Sequence, residues 1–154
     1  MNSFIKFNNF IKETFLYSLV PLIYLIFALL LLKTGSLPDL FFLSFWEIIL
    51  IVFLVLGSGL WFIGYFYLPP SAYLFPRAEK LVISDPYRFF RHPIYAGAML
   101  IFWTLSLLAH SQPAFWYATL IIFPFILGRA KWEERILTEA FGGKYKKYKK
   151  TTLF

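Results

Sequence analysis

The sequence has 154 residues, of which 60% are hydrophobic, 23% aromatic and only 15% charged. An ordinary soluble domain is roughly 45–50% apolar, so that class is excluded. A net charge of +7 accompanies a complete lack of cysteine, which rules out disulfides, thiolate metal sites and a cysteine nucleophile.

Residues 1–14 place Phe4, Ile5, Phe7, Phe10 and Ile11 at helical spacing, the pattern of a short interfacial helix. Uncharged apolar residues then run through a first predicted span over about 15–32, which contains Pro21. Its apolar core exceeds that of a secretory signal and no small-x-small cleavage site follows, so it reads as an anchor. Gly35 and Pro38 break the chain into an outer loop over 33–44. A second span is predicted over about 46–68, with Glu47 near its outer end and Gly57-Ser58-Gly59 in its middle. Small residues there suit close helix packing.

The loop that follows, through Pro76 and Pro86 to His92, is too polar and too broken to span. Loops of that length tend to carry function or to be disordered. Third and fourth spans are predicted over about 93–109 and 113–128, joined as a tight hairpin. Proline at position 93 suits a first helical residue. Trp132, Ile136 and Leu137 mark one face of an amphipathic C-terminal helix over about 129–142, with Gly142 and Gly143 as its stop. The expected fold is therefore all-α and integral to a membrane: four transmembrane helices, a cytoplasmic loop and a C-terminal amphipathic helix, in a single domain.

With four spans, the N-terminus, the loop after the second span and the C-terminal tail share one side. That side holds every Lys and Arg except Lys33, and the positive-inside rule makes it cytoplasmic, both termini included. This distribution argues against nucleic acid as a partner. The lysine-tyrosine tail suits anionic lipid headgroups instead.

No G-x-G-x-x-G, G-x-x-x-x-G-K-[ST] or G-x-S-x-G is present. The two histidines, His92 and His110, are too far apart in sequence to suggest a metal site. Two polar clusters remain. Arg88, Arg91, His92 and Tyr95 lead into the third span, and Glu133, Glu134 and Arg135 follow the fourth. A hairpin of the last two spans brings these clusters together, setting cations and a potential acid/base against paired carboxylates. Each residue also has a plainer reading. The arginines suit lipid phosphates, the tyrosines an aromatic belt, Gly97 helix packing, and the glutamates a solvated face with Lys131 and Arg135.

Taken together, DPYRFFRHPIYAG and, about forty residues on, EERILTEAFGGKYKKY resemble the isoprenylcysteine carboxyl methyltransferase and phospholipid methyltransferase family. Its R-H-P-x-Y-x-G motif is filled by Arg91, His92, Pro93, Tyr95 and Gly97. Glu133, Glu134 and Leu137 fill E-E-x-x-L; Phe141, Gly142, Tyr145 and Tyr148 fill F-G-x-x-Y-x-x-Y. Asp85 stands where glycine is frequent in the family, and the short Thr151–Phe154 end replaces a proline-containing tail.

The resemblance implies a membrane enzyme that uses S-adenosylmethionine and releases S-adenosylhomocysteine. The acceptor would be lipophilic: a phospholipid amine, a prenylcysteine carboxylate or a thiol. It implies cofactor contacts from His92, Tyr95, Gly97, Glu133, Glu134 and Arg88, with His92, Glu134 and Arg91 as catalytic candidates. An NADPH-dependent reductase similar to the membrane sterol reductases shares H-P-x-Y-x-G, but its later motif is an Arg-Asp pair rather than Glu-Glu. A non-catalytic membrane scaffold is the third reading.

Overall fold

A computed structural model describes residues 19–39, 41–68 and 81–153. The expected interfacial helix, the first residues of the first span and most of the long loop lie outside them. Among the described residues the chain is helical, with no strand. Four long helices, α1 (Leu19–Thr34), α2 (Phe45–Tyr67), α3 (Pro93–Leu108) and α4 (Gln112–Phe141), are followed by a short α5 (Gly143–Thr151).

Local chemistry sets the ends. Ser44 and Glu47 form a reciprocal capping box at the start of α2, with the Ser44 N–H donating to Glu47 Oε2 at 2.7 Å. That arrangement satisfies two otherwise orphaned N–H groups. Pro93 opens α3 at its first position, where a missing N–H costs nothing. Ser111 caps α4 by accepting from the Ala114 N–H.

Helices α2 and α3 pack closely at glycines. A Cβ on Gly97 would lie 2.6 Å from the Gly57 carbonyl and 2.7 Å from the Trp61 nitrogen. The expectation for Gly57-Ser58-Gly59 therefore holds at Gly57 but not at Gly59, which has nothing within 4 Å. Along α4, Ala114, Ala118, Ile122, Ile126 and Ala130 are all buried, a stripe at every fourth residue. With Ile23 and Phe27 of α1 and Ala98 and Met99 of α3, the first four of these residues form the core. Phe27 and Phe102 add an edge-to-face ring pair at 4.8 Å.

Inside α4, Ala118–Ile122 makes a π-helical turn, closed by the Phe123 N–H on the Ala118 carbonyl. Pro124 follows directly. A proline has no N–H to donate and its ring crowds the carbonyl four residues back, and the wider turn relieves both. Trp103 of α3 donates to Thr119 within that turn at 3.1 Å.

Two helices, α2 (mean hydropathy 2.4) and α4 (mean hydropathy 1.3), are long and apolar enough to cross a membrane. Among the described residues the other two apolar helices, α1 and α3, are shorter, so two helices of spanning length are found there where four spans were expected. The 16 residues of α3 rise only about 24 Å at about 1.5 Å each, below the roughly 30 Å of a hydrocarbon core. Pro93 and the hairpin at Ala109–Ser111 cut it at both ends. A second difference concerns α4, which continues unbroken to Phe141, where separate helices over 113–128 and 129–142 were expected. Gly128 sits inside it with open space around its Cα, and nothing there stops the backbone ladder. A third is α5, formed by the lysine-tyrosine tail after Gly142 turns the chain at φ +50°.

Candidate active site

The site is assembled where the segment before α3 meets the distal part of α4. Residues 86–90 form a turn, with the Phe89 and Phe90 N–H groups donating to the Pro86 carbonyl. Tyr87 is buried and fixes this turn to α2, its hydroxyl donating to the Gly64 carbonyl at 3.1 Å. The turn delivers Arg91 and His92 to the N-terminus of α3, and Tyr95 follows one turn later.

From the other side, α4 presents Arg129, Glu133 and Glu134. Arg91 Nη1 lies 3.0 Å from Glu134 Oε1. The buried His92 ring sits between the two carboxylates, Nδ1 at 3.7 Å from Glu133 and Nε2 at 3.6 Å from Glu134. Those separations exceed a hydrogen bond but suit an ion pair once the imidazole is protonated. The ring stacks on Tyr95 at 5.4 Å and 21°. Arg129 Nε donates to the Tyr95 hydroxyl at 3.0 Å.

The tail closes over this cluster. Lys149 donates to Glu134 Oε2, and the Tyr148 hydroxyl donates to the Tyr87 carbonyl at 2.6 Å. Leu153 pairs with the turn as a parallel bridge: its carbonyl accepts from the Arg91 N–H and its N–H donates to the Phe89 carbonyl, each at 2.8 Å.

Electrostatics follow from this packing. Burial alone would raise the Glu134 pKa. The Lys149 hydrogen bond and the charges of Arg91, Lys149 and His92 outweigh it and hold the carboxyl below the ordinary glutamate value. Burial pushes the Tyr148 phenol up to about 12, with Arg91 opposing and Glu133 adding to the rise. Tyr145 is likewise raised, first by burial and then by Glu134. The buried Arg91 Nε and Tyr145 hydroxyl have no hydrogen-bond partner among the described residues.

Five sequence-predicted residues are thus brought together: Arg91, His92, Tyr95, Glu133 and Glu134. Two are not. Gly97 instead packs its backbone against Gly57 and Trp61 of α2, where only a glycine leaves room for the close approach of the two helices. Arg88 lies outside the cluster and lines a separate cavity beside α5. Sequence reasoning missed Arg129 and Lys149, and gave Tyr87, Tyr145 and Tyr148 no site role. Arg129 is four residues before Glu133, hence on the same helix face, and that spacing was the available signal.

A family model described as phospholipid methyltransferase matches residues 37–144. The chain belongs to the phospholipid methyltransferase family. The match takes in α2, which the sequence motifs alone do not reach, and stops before Tyr148 and Lys149. No curated protein and no solved structure matches the chain. Membership of the phospholipid methyltransferase family implies methyltransferase chemistry and a lipid substrate. With two apolar helices of spanning length, it points to a membrane protein.

Proposed function

We propose that the chain is an S-adenosylmethionine-dependent methyltransferase acting on the amine of a membrane phospholipid, with its reacting groups at Arg91, His92, Tyr95, Glu133 and Glu134. The observation that carries this reading is the convergence of two carboxylates from α4 with Arg91 and His92 from the start of α3. The chemistry of these donors fits the cofactor. A guanidinium with a spare buried N–H suits its carboxylate. Glu133 and Glu134 suit its ammonium and ribose hydroxyls, and the stacked His92–Tyr95 pair offers faces for a sulfonium.

Bound S-adenosylmethionine supplies an electrophilic methyl carbon for in-line displacement. The protein orients the reactants and excludes water. An ammonium acceptor must first lose a proton, and His92, buried between two carboxylates, is placed to receive it at a ring nitrogen. The partly open cavity bounded by Tyr87, His92, Tyr95 and Glu133 measures about 40 Å³.

The same reading places the chain in the bilayer as four spans, with the cluster and both termini on the cytoplasmic face. Large apolar side chains on the outside of α2, among them Phe53, Leu56 and Phe66, would face lipid tails. The short α3 would be accommodated by local thinning of the bilayer.

Calorimetric titration of the purified protein with S-adenosylhomocysteine and with NADPH tests the proposal. Binding of S-adenosylhomocysteine alone is expected, followed by methyl transfer from labelled cofactor to phosphatidylethanolamine vesicles. Binding of NADPH alone would overturn it.

A further inference from the structure

A second cavity, of about 390 Å³, is lined in part by Tyr148 and by no residue of the carboxylate cluster. One wall is the face of α5 formed by Lys144, Lys147 and Tyr148, residues at helical spacing; the other is Leu81, Ile83 and Arg88. The walls are predominantly apolar and the charged groups on them are all cations. No carboxylate lines the cavity, and no ion pair to Arg88, Lys144 or Lys147 occurs among the described residues. The guanidinium of Arg88 instead lies 5.9 Å from the Phe89 ring.

Three uncompensated cations around an apolar trough are complementary to an anionic head joined to hydrocarbon. The cavity also sits at the end of the bundle where α3 begins, close to the apolar helices. We infer that this groove binds one anionic phospholipid, with its phosphate among Arg88, Lys144 and Lys147 and its chains against Leu81 and Ile83. This lipid is distinct from the methyl acceptor, since none of Arg91, His92, Tyr95, Glu133 and Glu134 lines the groove. Because the groove is built half from α5 and half from the segment leading to Arg91, its occupant bridges the same two elements that Lys149 and Tyr148 join. Bound lipid holds the tail against the site.

Diffuse attraction of the basic tail for a charged membrane makes a different prediction, and the lysines separate the two. Lys144 and Lys147 line the groove; Lys146 and Lys150, equally charged and exposed, do not. Native mass spectrometry of the detergent-solubilised protein with phosphatidylglycerol, phosphatidylcholine or inorganic phosphate reads the binding directly. The wild-type chain should retain one phosphatidylglycerol in preference to phosphatidylcholine. Lys144→Gln/Lys147→Gln should weaken that binding about tenfold or more, and Lys146→Gln/Lys150→Gln about twofold or less. Equal losses in the two double variants would overturn the groove in favour of diffuse attraction. Inorganic phosphate displacing the lipid at comparable concentration would overturn the lipid as occupant. The measurement uses neither cofactor nor turnover, so its failure is separable from failure of the methyltransferase reading.

Discussion

Glu134 receives Arg91, Lys149 and, at longer range, His92. Glu134→Gln keeps the shape and removes the charge, leaving two partly buried cations facing a neutral amide. Affinity for S-adenosylhomocysteine should fall about tenfold or more, the scale of one lost charge-assisted contact, as should that of Glu133→Gln. Unchanged affinity in both variants would move the cofactor elsewhere. The carboxyl of Glu134 is held below the ordinary value of 4.5 in the folded state. A depressed folded pKa adds stability that is present above the unfolded value and disappears as pH falls through the folded one. Thermal unfolding from pH 7 to 3 should show the wild-type midpoint converging on that of Glu134→Gln below about 4.5. Tyr148→Phe removes one hydrogen bond to the Tyr87 carbonyl. It should cost about 1 kcal/mol of stability while loosening α5, read as faster amide exchange over 143–151.

Among the helices, a glycine of α3 and a glycine of α2 predict opposite results. Gly97→Ala would press a methyl into the Gly57 carbonyl and should destabilise by about 1–3 kcal/mol, the cost of overpacking. Gly59→Ala meets nothing within 4 Å and should be stabilising by up to about 1 kcal/mol through helix propensity. Thermal unfolding in detergent distinguishes them. Where helices begin and end was largely legible: α2 and α3 start and stop within a residue or so of expectation, because Ser44, Pro93 and Ser111 are chemical stops and starts. The join between the fourth span and the helix beyond was not legible. A change from apolar to charged composition at Gly128 marks a change of surroundings and not of backbone. The tail helix was missed for a related reason. KYKKYKK has no apolar stripe, and its burial comes from two tyrosines that only a tertiary partner reveals.

For the whole molecule, the proposed orientation yields a labelling experiment. Cysteine at exposed Ser84 should react from the cytoplasm and cysteine at exposed Gln112 from the opposite side; the reverse pattern would refute it. Which residues meet across the bundle was half legible. The hairpin of α3 and α4 made it possible to expect Glu133 and Glu134 near His92. Arg129, Lys149 and the aromatic seal of Tyr87 and Tyr148 depend on helix phase and on the folded-back tail, which spacing within one motif does not encode.

Helix phase makes the π turn at Ala118–Ile122 consequential. In a regular α-helix each step of four residues overshoots a full revolution by about 40°, so the buried stripe from Ala114 to Ala130 would drift about 160° around the axis. One extra residue in the turn absorbs about 100° of that drift. The turn thus works as a gear offset between two halves of one shaft, aligning the core-facing half with the half that carries the carboxylates. Removing one residue from Ala118–Ile122 would leave a more regular helix in which the extra residue and its angle disappear together, so Glu133 and Glu134 would keep their phase toward His92. A shortened chain that folds and still binds S-adenosylhomocysteine is the expected signature; lost binding in a folded chain would show that the turn does not set the alignment of the two halves.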